Sequence, residues 1–380
     1  TALTFSYGAV VELASAMTGV PAGVLNTLIG GVIAGNYVTE TMTNEGDFET
    51  YGFFSDLDFT INDWLNVITG LRYSNDKKAF SWEAPLTDFP LSQVQGENFF
   101  FNSDGLEQGS ASWDKITGRI VANAQISEGA MAFLSYSTGY KSGGYDSLNT
   151  SSREVPLAPE VVSNIELGLK GDLLEDKIRT QVALFKMVID DRQESIESKG
   201  PDDNGAVPTV ISTDEDIQGI ELTADWLVND NLRFGLIYTY REPSRAAYYD
   251  KEGNFQEANQ VNPTSPQEYT LTMDWSPEFD YGLLLLHLDY IYEENVDKQN
   301  EDHIDSFNRV NGYGDDTSLL NARLAWTTPG GRYEFALWGK NLLDNERVSQ
   351  PGGLTGGELG TYHVGIVAPM TYGVDLRFVF

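Results

Sequence analysis

The sequence predicts an all-β fold: a transmembrane, antiparallel, up-and-down β-barrel wall with short turns at one rim and long loops at the other. Three observations carry this reading. Bulky apolar residues alternate with polar or small ones through segment after segment, the two-residue period of a half-buried strand. The connections between segments alternate too, short then long, as in barrels that cross a membrane. The polar faces hold full charges in mid-strand, such as Glu166 with Lys170, Arg323, and Asp375 with Arg377. A sandwich interior could not bury these unpaired, whereas a watery lumen accepts them.

Taken in order, residues 2–10 read as a possible first strand. The stretch LASAMTGVPAGVLNTLIGGVIAG at 13–35 has no charge and nominally meets the length of a spanning helix. Pro21, Asn26 and its glycines lower both helix propensity and hydrophobicity, so a loop with a short helix folding over the barrel mouth is expected. Residues 1–46 thus form a first strand and a long apolar extracellular loop, and residues 47–380 the barrel portion.

From residue 47 onward the alternation is repeated. WLNVITGLRY puts Leu65, Val67, Leu71 and Tyr73 on one face. SNIELGLKG does so with Ile165, Leu167 and Leu169, NLRFGLIYTYR with Leu232, Phe234, Leu236, Tyr238 and Tyr240, and EYTLTMDW with Tyr269, Leu271, Met273 and Trp275. In YGLLLLHLDYIY, Leu284, Leu286, Leu288, Tyr290 and Tyr292 oppose His287 and Asp289. GRYEFALWGKN aligns Tyr333, Phe335 and Leu337, and the closing TYGVDLRFVF aligns Tyr372, Val374, Leu376, Phe378 and Phe380. About thirteen such segments follow residue 47, or fourteen with the first.

Tight turns are expected at INDW (61–64), SEG (127–129), GDLLEDK (171–177), VNDN (228–231), SPEFDY (276–281) and TPGG (328–331), each with the Gly, Asn, Asp or Pro that hairpin turns favour. Long polar loops are expected at about 81–111, 142–159, 193–214, 242–265, 293–316 and 345–368. Tyr and Trp gather at strand ends, where amphipathic rings sit at a headgroup boundary.

Composition narrows the function classes. With 24 Lys and Arg against 57 Asp and Glu, net charge −33, the chain has too few cations to neutralise phosphates, which argues against nucleic acid. No Cys is present, so disulfide frameworks and Cys-ligated zinc are excluded. With three His and no nucleophile elbow, HExxH or phosphate loop, nothing resembles a catalytic constellation. The competing soluble fold, a large sandwich or propeller with a sugar-binding or sugar-cleaving role, would need an inward apolar core or a shared repeat of about 40–50 residues, and none is visible.

MAFLSYSTGYKSGGYD and PEVVSNIELGLKGDLLEDKIRTQVALFKMVIDDRQ resemble the barrel of TonB-dependent outer-membrane receptors, as do GRYEFALWGKNLLDNE and PMTYGVDLRFVF. YGFFSDLDFTINDWLNVITGLRYSNDKKAF is similar to an earlier strand pair of the same barrel, and the resemblance covers about residues 37–380. It implies the outer membrane of a Gram-negative bacterium, a barrel of about 22 strands around an N-terminal plug, and active uptake of a scarce ligand: a siderophore–metal chelate, cobalamin or an oligosaccharide. Implied partners are outer-membrane lipid and lipopolysaccharide, the TonB complex acting through the plug, and the barrel assembly machinery, which would read the terminal Phe380 with Tyr372 and Phe378. Against that pattern the chain has no plug, no TonB box and about eight strands too few. Two readings follow: the remaining strands and plug lie in another part or chain, or some fourteen strands close on themselves as a diffusion channel or surface-binding barrel without energy coupling.

Candidate ligand contacts are aromatic residues of the long loops: Phe99, Phe100 and Phe101 in ENFFFNSDG, Tyr248 and Tyr249 in RAAYYD, Tyr313 and Tyr362. Flat rings suit sugars, catechols or corrins alike. Asp302, His303 and Asp305, in EENVDKQNEDHIDSFN, are metal candidates, their carboxylates suited to Ca²⁺; a solvated acidic loop is the plainer reading. PDDNG at 201–205 reads as a turn, and the glycines of GYKSGGYD at 139–146 as serving the bend into a loop. His287 is expected to line the lumen through hydrogen bonds. Acidic loops disfavour a bare anionic ligand, although Lys and Arg inside the lumen could hold an anionic siderophore.

Overall fold

The structure, a computed structural model, describes residues 2–6, 10–11, 14–15, 19–28, 37–98, 103–145, 156–199, 206–249, 255–256, 265–294, 316–346, 348–351, 364–366 and 368–380. Its main body is one 14-stranded antiparallel sheet. The strands are β3 (Thr43–Asn62), β4 (Leu65–Glu83), β5 (Glu107–Ser127), β6 (Ala130–Lys141), β7 (Glu160–Leu173), β8 (Ile178–Lys199), β9 (Ala206–Asn229), β10 (Leu232–Arg245), β13 (Gln267–Trp275), β15 (Gly282–Glu293), β16 (Thr317–Thr327), β17 (Tyr333–Lys340) and β20 (Thr371–Phe378). Each pairs with the next in chain order, and the two-residue β14 (Glu278–Phe279) pairs with β15 alongside. Three two-stranded ribbons stand apart: β1 (Ala2–Ser6) with β2 (Tyr37–Thr41), β11 (Tyr248–Tyr249) with β12 (Phe255–Gln256), and β18 (Val348–Pro351) with β19 (Val364–Ile366).

The expected tight turns all fall between paired strands, and local chemistry explains several. The Asn62 side-chain carbonyl accepts from the N–H groups of Trp64 (3.0 Å) and Leu65 (2.9 Å), a polar side chain replacing a backbone turn bond. Asn229 does the same for Asn231 (2.9 Å). Leu174, Glu175 and Asp176 take φ of 55°, 56° and 63°, so the β7–β8 turn uses the left-handed region without glycine.

Register sorts the side chains into two faces. One face carries rows such as Leu134–Leu167–Leu184–Ile220 and Trp275–Leu286–Leu324–Leu337–Val374, each step a directly opposed pair. The other carries Asp274–His287–Arg323–Trp338 in the same way. Leu71, Ile120, Leu134, Leu167, Leu184, Leu271, Leu324, Leu337 and Val374 are all exposed. A contiguous apolar face of this extent far exceeds what water tolerates on a monomer surface. It is the lipid-facing side of a membrane barrel wall, and the charged face is inward.

Aromatic residues border the apolar band at both ends. Towards the short turns, Trp226 lies against Phe234 (ring centroids 6.1 Å), Phe279 stacks on Tyr281 (4.9 Å) and Trp326 on Phe335 (5.6 Å). Towards the long loops, Tyr269 stacks on Tyr292 (4.9 Å) and neighbours Tyr290 (6.0 Å).

Two expectations change, and the alternative of a self-closed sheet falls. The described residues of 193–214, 193–199 and 206–214, are strand and not loop: β8 and β9 continue pairing up to Lys199↔Ala206, past an irregularity between Ile189 and Arg192. Above the hydrocarbon band neither strand face need be apolar, so an Asp- and Ser-rich strand looks like a loop. The first strand does not join the barrel sheet but pairs with β2, which runs into β3 across Met42 alone. The sheet does not close on itself either, because β3 and β20 end its order without pairing to one another. Within 13–35 the described helix is Ala22–Leu28, seven residues, and among the described residues no helix is long and apolar enough to cross a membrane. Leu25 packs in a small core with Val10, Val11, Ala14, Val38 and Phe89.

Candidate functional site

The inward face is where a ligand or an internal domain would meet this wall, and its chemistry is set by strand parity. Near the short-turn rim, ion pairs bridge neighbouring strands: Arg179 with Asp172 (2.8 Å), Arg233 with Asp225 (2.5 Å) and Arg323 with Glu334 (2.7 Å). Arg179 and Asp172 are directly opposed, whereas Asp225 lies two residues and Glu334 four residues along the partner strand from the position opposite its arginine, within reach of the long side chain on the same face. Solvent-accessible pairs of this kind add little stability individually, but they keep a charged surface neutral.

His287 belongs to the most connected of these groups. Its Nδ1 lies 2.7 Å from Asp274 Oδ1 and its Nε2 3.6 Å from Asp289. Asn321 Nδ2 donates to Asp289 Oδ2 at 2.6 Å, Arg323 also approaches Asp375 at 3.8 Å, and Trp338 Nε1 donates to Asp375 Oδ1 at 3.1 Å. These contacts form two groups, Asp274, His287, Asp289 and Asn321 across β13, β15 and β16, and Arg323, Glu334, Asp375 and Trp338 across β16, β17 and β20, with His287 directly opposite Arg323 on the inward face.

Towards the long loops the inward wall is tied by further contacts. Glu215, its side chain 2% exposed, pairs with Arg192, and Arg241 pairs with Glu268 at 2.5 Å. Gln193 Nε2 donates to the carbonyls of Ser142 (3.1 Å) and Ala158 (2.8 Å), pinning the bend after β6. In that bend Gly143 is buried against Trp113, and Gly144 bridges to Leu157, consistent with glycines that serve the turn. Tyr145 stacks on Phe80 (5.9 Å, 11°), and burial raises its phenol above the ordinary value.

Of the ligand candidates in the loops, Phe99, Phe100, Phe101, Tyr313 and Tyr362 lie outside the described residues. Tyr248 and Tyr249 are placed in the ribbon β11–β12 by their backbone pairing. The metal candidates Asp302, His303 and Asp305 also lie outside the described residues, as does PDDNG at 201–205. Tyr372 and Phe378 sit on the lipid-facing side of β20, opposite Gly339 and Tyr333, and Phe380 follows the strand end, fully exposed.

The family model described as TonB dependent receptor-like, β-barrel, matches residues 10–342. The chain belongs to the TonB-dependent receptor β-barrel family. This receptor barrel is 24% identical over 179 residues to the pesticin receptor of Yersinia enterocolitica, 47% of this chain and 24% of that protein. It is 25% identical over 193 residues to the ferric-pyoverdine 358 receptor of Pseudomonas putida, 50% of this chain and 21% of that one. Among solved structures, the ferric yersiniabactin uptake receptor of Yersinia pestis superposes with a TM-score of 0.64 at 16% identity, covering 90% of this chain and 49% of that one. The siderophore receptor PiuA of Acinetobacter baumannii gives 0.60 at 14%, with 90% and 43% covered. The chain therefore spans about a quarter of the curated relatives and about half of these solved receptors, and at such identities the structural likeness concerns the fold.

Proposed function

We propose that residues 47–380 form the C-terminal part of the barrel wall of a TonB-dependent importer in the outer membrane of a Gram-negative bacterium, with 1–46 contributing a strand and an extracellular loop segment. The observation that carries this reading is the register, which puts an unbroken apolar face outward and an ion-paired face inward across the sheet. Its ligand is a scarce metal chelate: the relatives are named as receptors for ferric pyoverdine and ferric yersiniabactin. The wall does no chemistry on the cargo. It holds a plug and lets the TonB complex act through that plug, while lipid and lipopolysaccharide cover the outside. Phe380, with Tyr372 and Phe378, serves as the signal read by the barrel assembly machinery.

The passive-channel reading needs a closed ring of about fourteen strands, and the open order of this sheet argues against it. Uptake of labelled ferric chelates by iron-starved cells, with and without the gene encoding this chain and before and after collapse of the proton-motive force, tests the proposal. Import that requires the gene and stops on de-energisation is expected. Import that continues unchanged after de-energisation would identify a diffusion channel instead.

A further inference from the structure

The lipid-facing side of the wall is not uniform. On β9 the outward position between Leu222 and Trp226 is Ala224, with Thr180 opposite it on β8 and Leu236 opposite it on β10. A small side chain among large ones leaves a hollow, and one lies there: a groove of about 440 Å³ walled by Trp226, Phe234, Leu236, Leu271, Met273 and Leu288. Tyr290 lines it on the side of the long loops.

One step further along the strands, register sets Tyr238, Tyr269 and Tyr292 side by side. Tyr269 stacks on Tyr292 at 4.9 Å and lies 6.0 Å from Tyr290. Two of these hydroxyls are fixed by polar partners at the wet edge: Tyr292 Oη donates to Asp316 Oδ2 at 3.0 Å, and Tyr290 Oη to Ser318 Oγ at 3.2 Å. A phenol that donates keeps lone pairs for accepting. From Phe234 to Tyr238 the strand rises about 13 Å, close to the roughly 15 Å of one hydrocarbon leaflet. Groove and tyrosines together have the proportions of one acyl chain beneath one headgroup.

Charge decides which headgroup fits. Among the described residues, parity leaves no Lys or Arg on the outward face of β9, β10, β13, β15, β16, β17 or β20; Arg233, Arg241 and Arg323 all point inward. Lys186, outward on β8, has Asp216 at 3.9 Å. Beyond the tyrosines stand Asp316 and Glu242, the latter accepting from Gln218 Nε2 at 2.9 Å. A phosphate here would meet carboxylates and no cation. Sugar hydroxyls would find acceptors in the same carboxylates and phenols, and flat rings suit a sugar face. The groove is continuous with the lipid-covered face, so its occupant is a lipid. We propose that it seats one unphosphorylated glycolipid of the outer leaflet, with an acyl chain over Ala224 and the sugar on Tyr269, Tyr290 and Tyr292. This rests on the lipid-facing assignment within the importer reading and adds a resident lipid to it.

Native mass spectrometry of the intact receptor carrying this chain, in detergent, tests the seat with three probes: monoglucosyl diacylglycerol, phosphatidylglycerol with the same chains, and lipid A bearing two phosphates. Wild type is expected to retain one glucosyl lipid, about tenfold more tightly than either phosphorylated lipid, from a few added hydrogen bonds and the absence of repulsion. Ala224→Phe, which fills the groove, should weaken the glucosyl lipid by about tenfold. Tyr290→Phe with Tyr292→Phe, which keeps both rings, should bring the glucosyl lipid down to the level of phosphatidylglycerol and leave the latter unchanged; this pair decides the matter if Ala224→Phe does not fold. Dibrominated chains on the glucosyl lipid should quench tryptophan emission in wild type, and Trp226→Phe should remove the quenched component.

Equal retention of the three lipids, or tighter retention of a phosphorylated one, overturns the proposal. So does glucosyl-lipid retention that neither the filled groove nor the paired Tyr→Phe change weakens, which would mark ordinary lipid contact around the whole wall. Energy-dependent import of ferric chelates by a wild type that retains no glucosyl lipid removes the seat and spares the importer. Selective retention without energy-dependent import supports the seat and removes the importer.

Discussion

Glu215 shows how much one inward residue can carry. Its side chain is almost fully enclosed, Arg192 on β8 is its ion-pair partner, and Arg245 is the residue directly opposite on β10. Removing the carboxylate would leave the Arg192 guanidinium without its ion-pair partner in a largely enclosed place, a more damaging change than losing the pair as a unit. Glu215→Ala should lower unfolding stability by about 2–4 kcal/mol, somewhat less than for a fully enclosed pair because Arg192 keeps some solvent access. Glu215→Gln should recover part of that loss through neutral hydrogen bonds. Heat-modified mobility on semi-native gels, scored against temperature, measures both; equal melting for Glu215→Ala and wild type would show that the pair contributes nothing.

At the scale of elements, what the sequence made legible depended on whether both strand faces had different surroundings. Inside the hydrocarbon band they do, so β15 announced itself through Leu284, Leu286, Leu288, Tyr290 and Tyr292, and the register confirms that this set faces outward. The tight turns were legible because Asn62 and Asn229 act through their own side chains. Beyond the band both faces are wet, alternation loses its apolar half, and the upper parts of β8 and β9 were therefore unreadable as strands. The inward polar groups were hidden for another reason: His287 and Arg323 become neighbours only through β15–β16 pairing, and no local period reports a register between distant segments. Face assignment itself can be checked at two adjacent positions. Leu286→Arg, pointing into lipid between Trp275 and Leu324, should destabilise the barrel by about 2–4 kcal/mol. His287→Gln, pointing inward, should stay within about 1 kcal/mol by losing only solvent-accessible contacts. Unfolding in urea with vesicle-inserted protein compares them, and similar losses at both positions would contradict the two-face assignment.

For the whole molecule the decisive feature is that the sheet has two ends. β3 is a 20-residue strand bonded to β4 on one side, and β20 is bonded only to β17. In lipid, every N–H and C=O along a free edge lacks water to replace its partner, at several kcal/mol per group, so an open sheet of this kind has no stable place in a bilayer. In water the same edges template association, and the apolar face adds to that drive. Both media therefore select for a complement that pairs with β3 and β20 at once. Residues 1–380 refolded alone with vesicles should give aggregate or surface-bound material, with no heat-modifiable band and no protease-protected core. Refolding the longer receptor that carries this chain should give a compact, heat-modifiable species under the same conditions. A protected, heat-modifiable species from residues 1–380 alone would mean that the two edges can meet each other, and the closed fourteen-strand channel would then replace the importer wall.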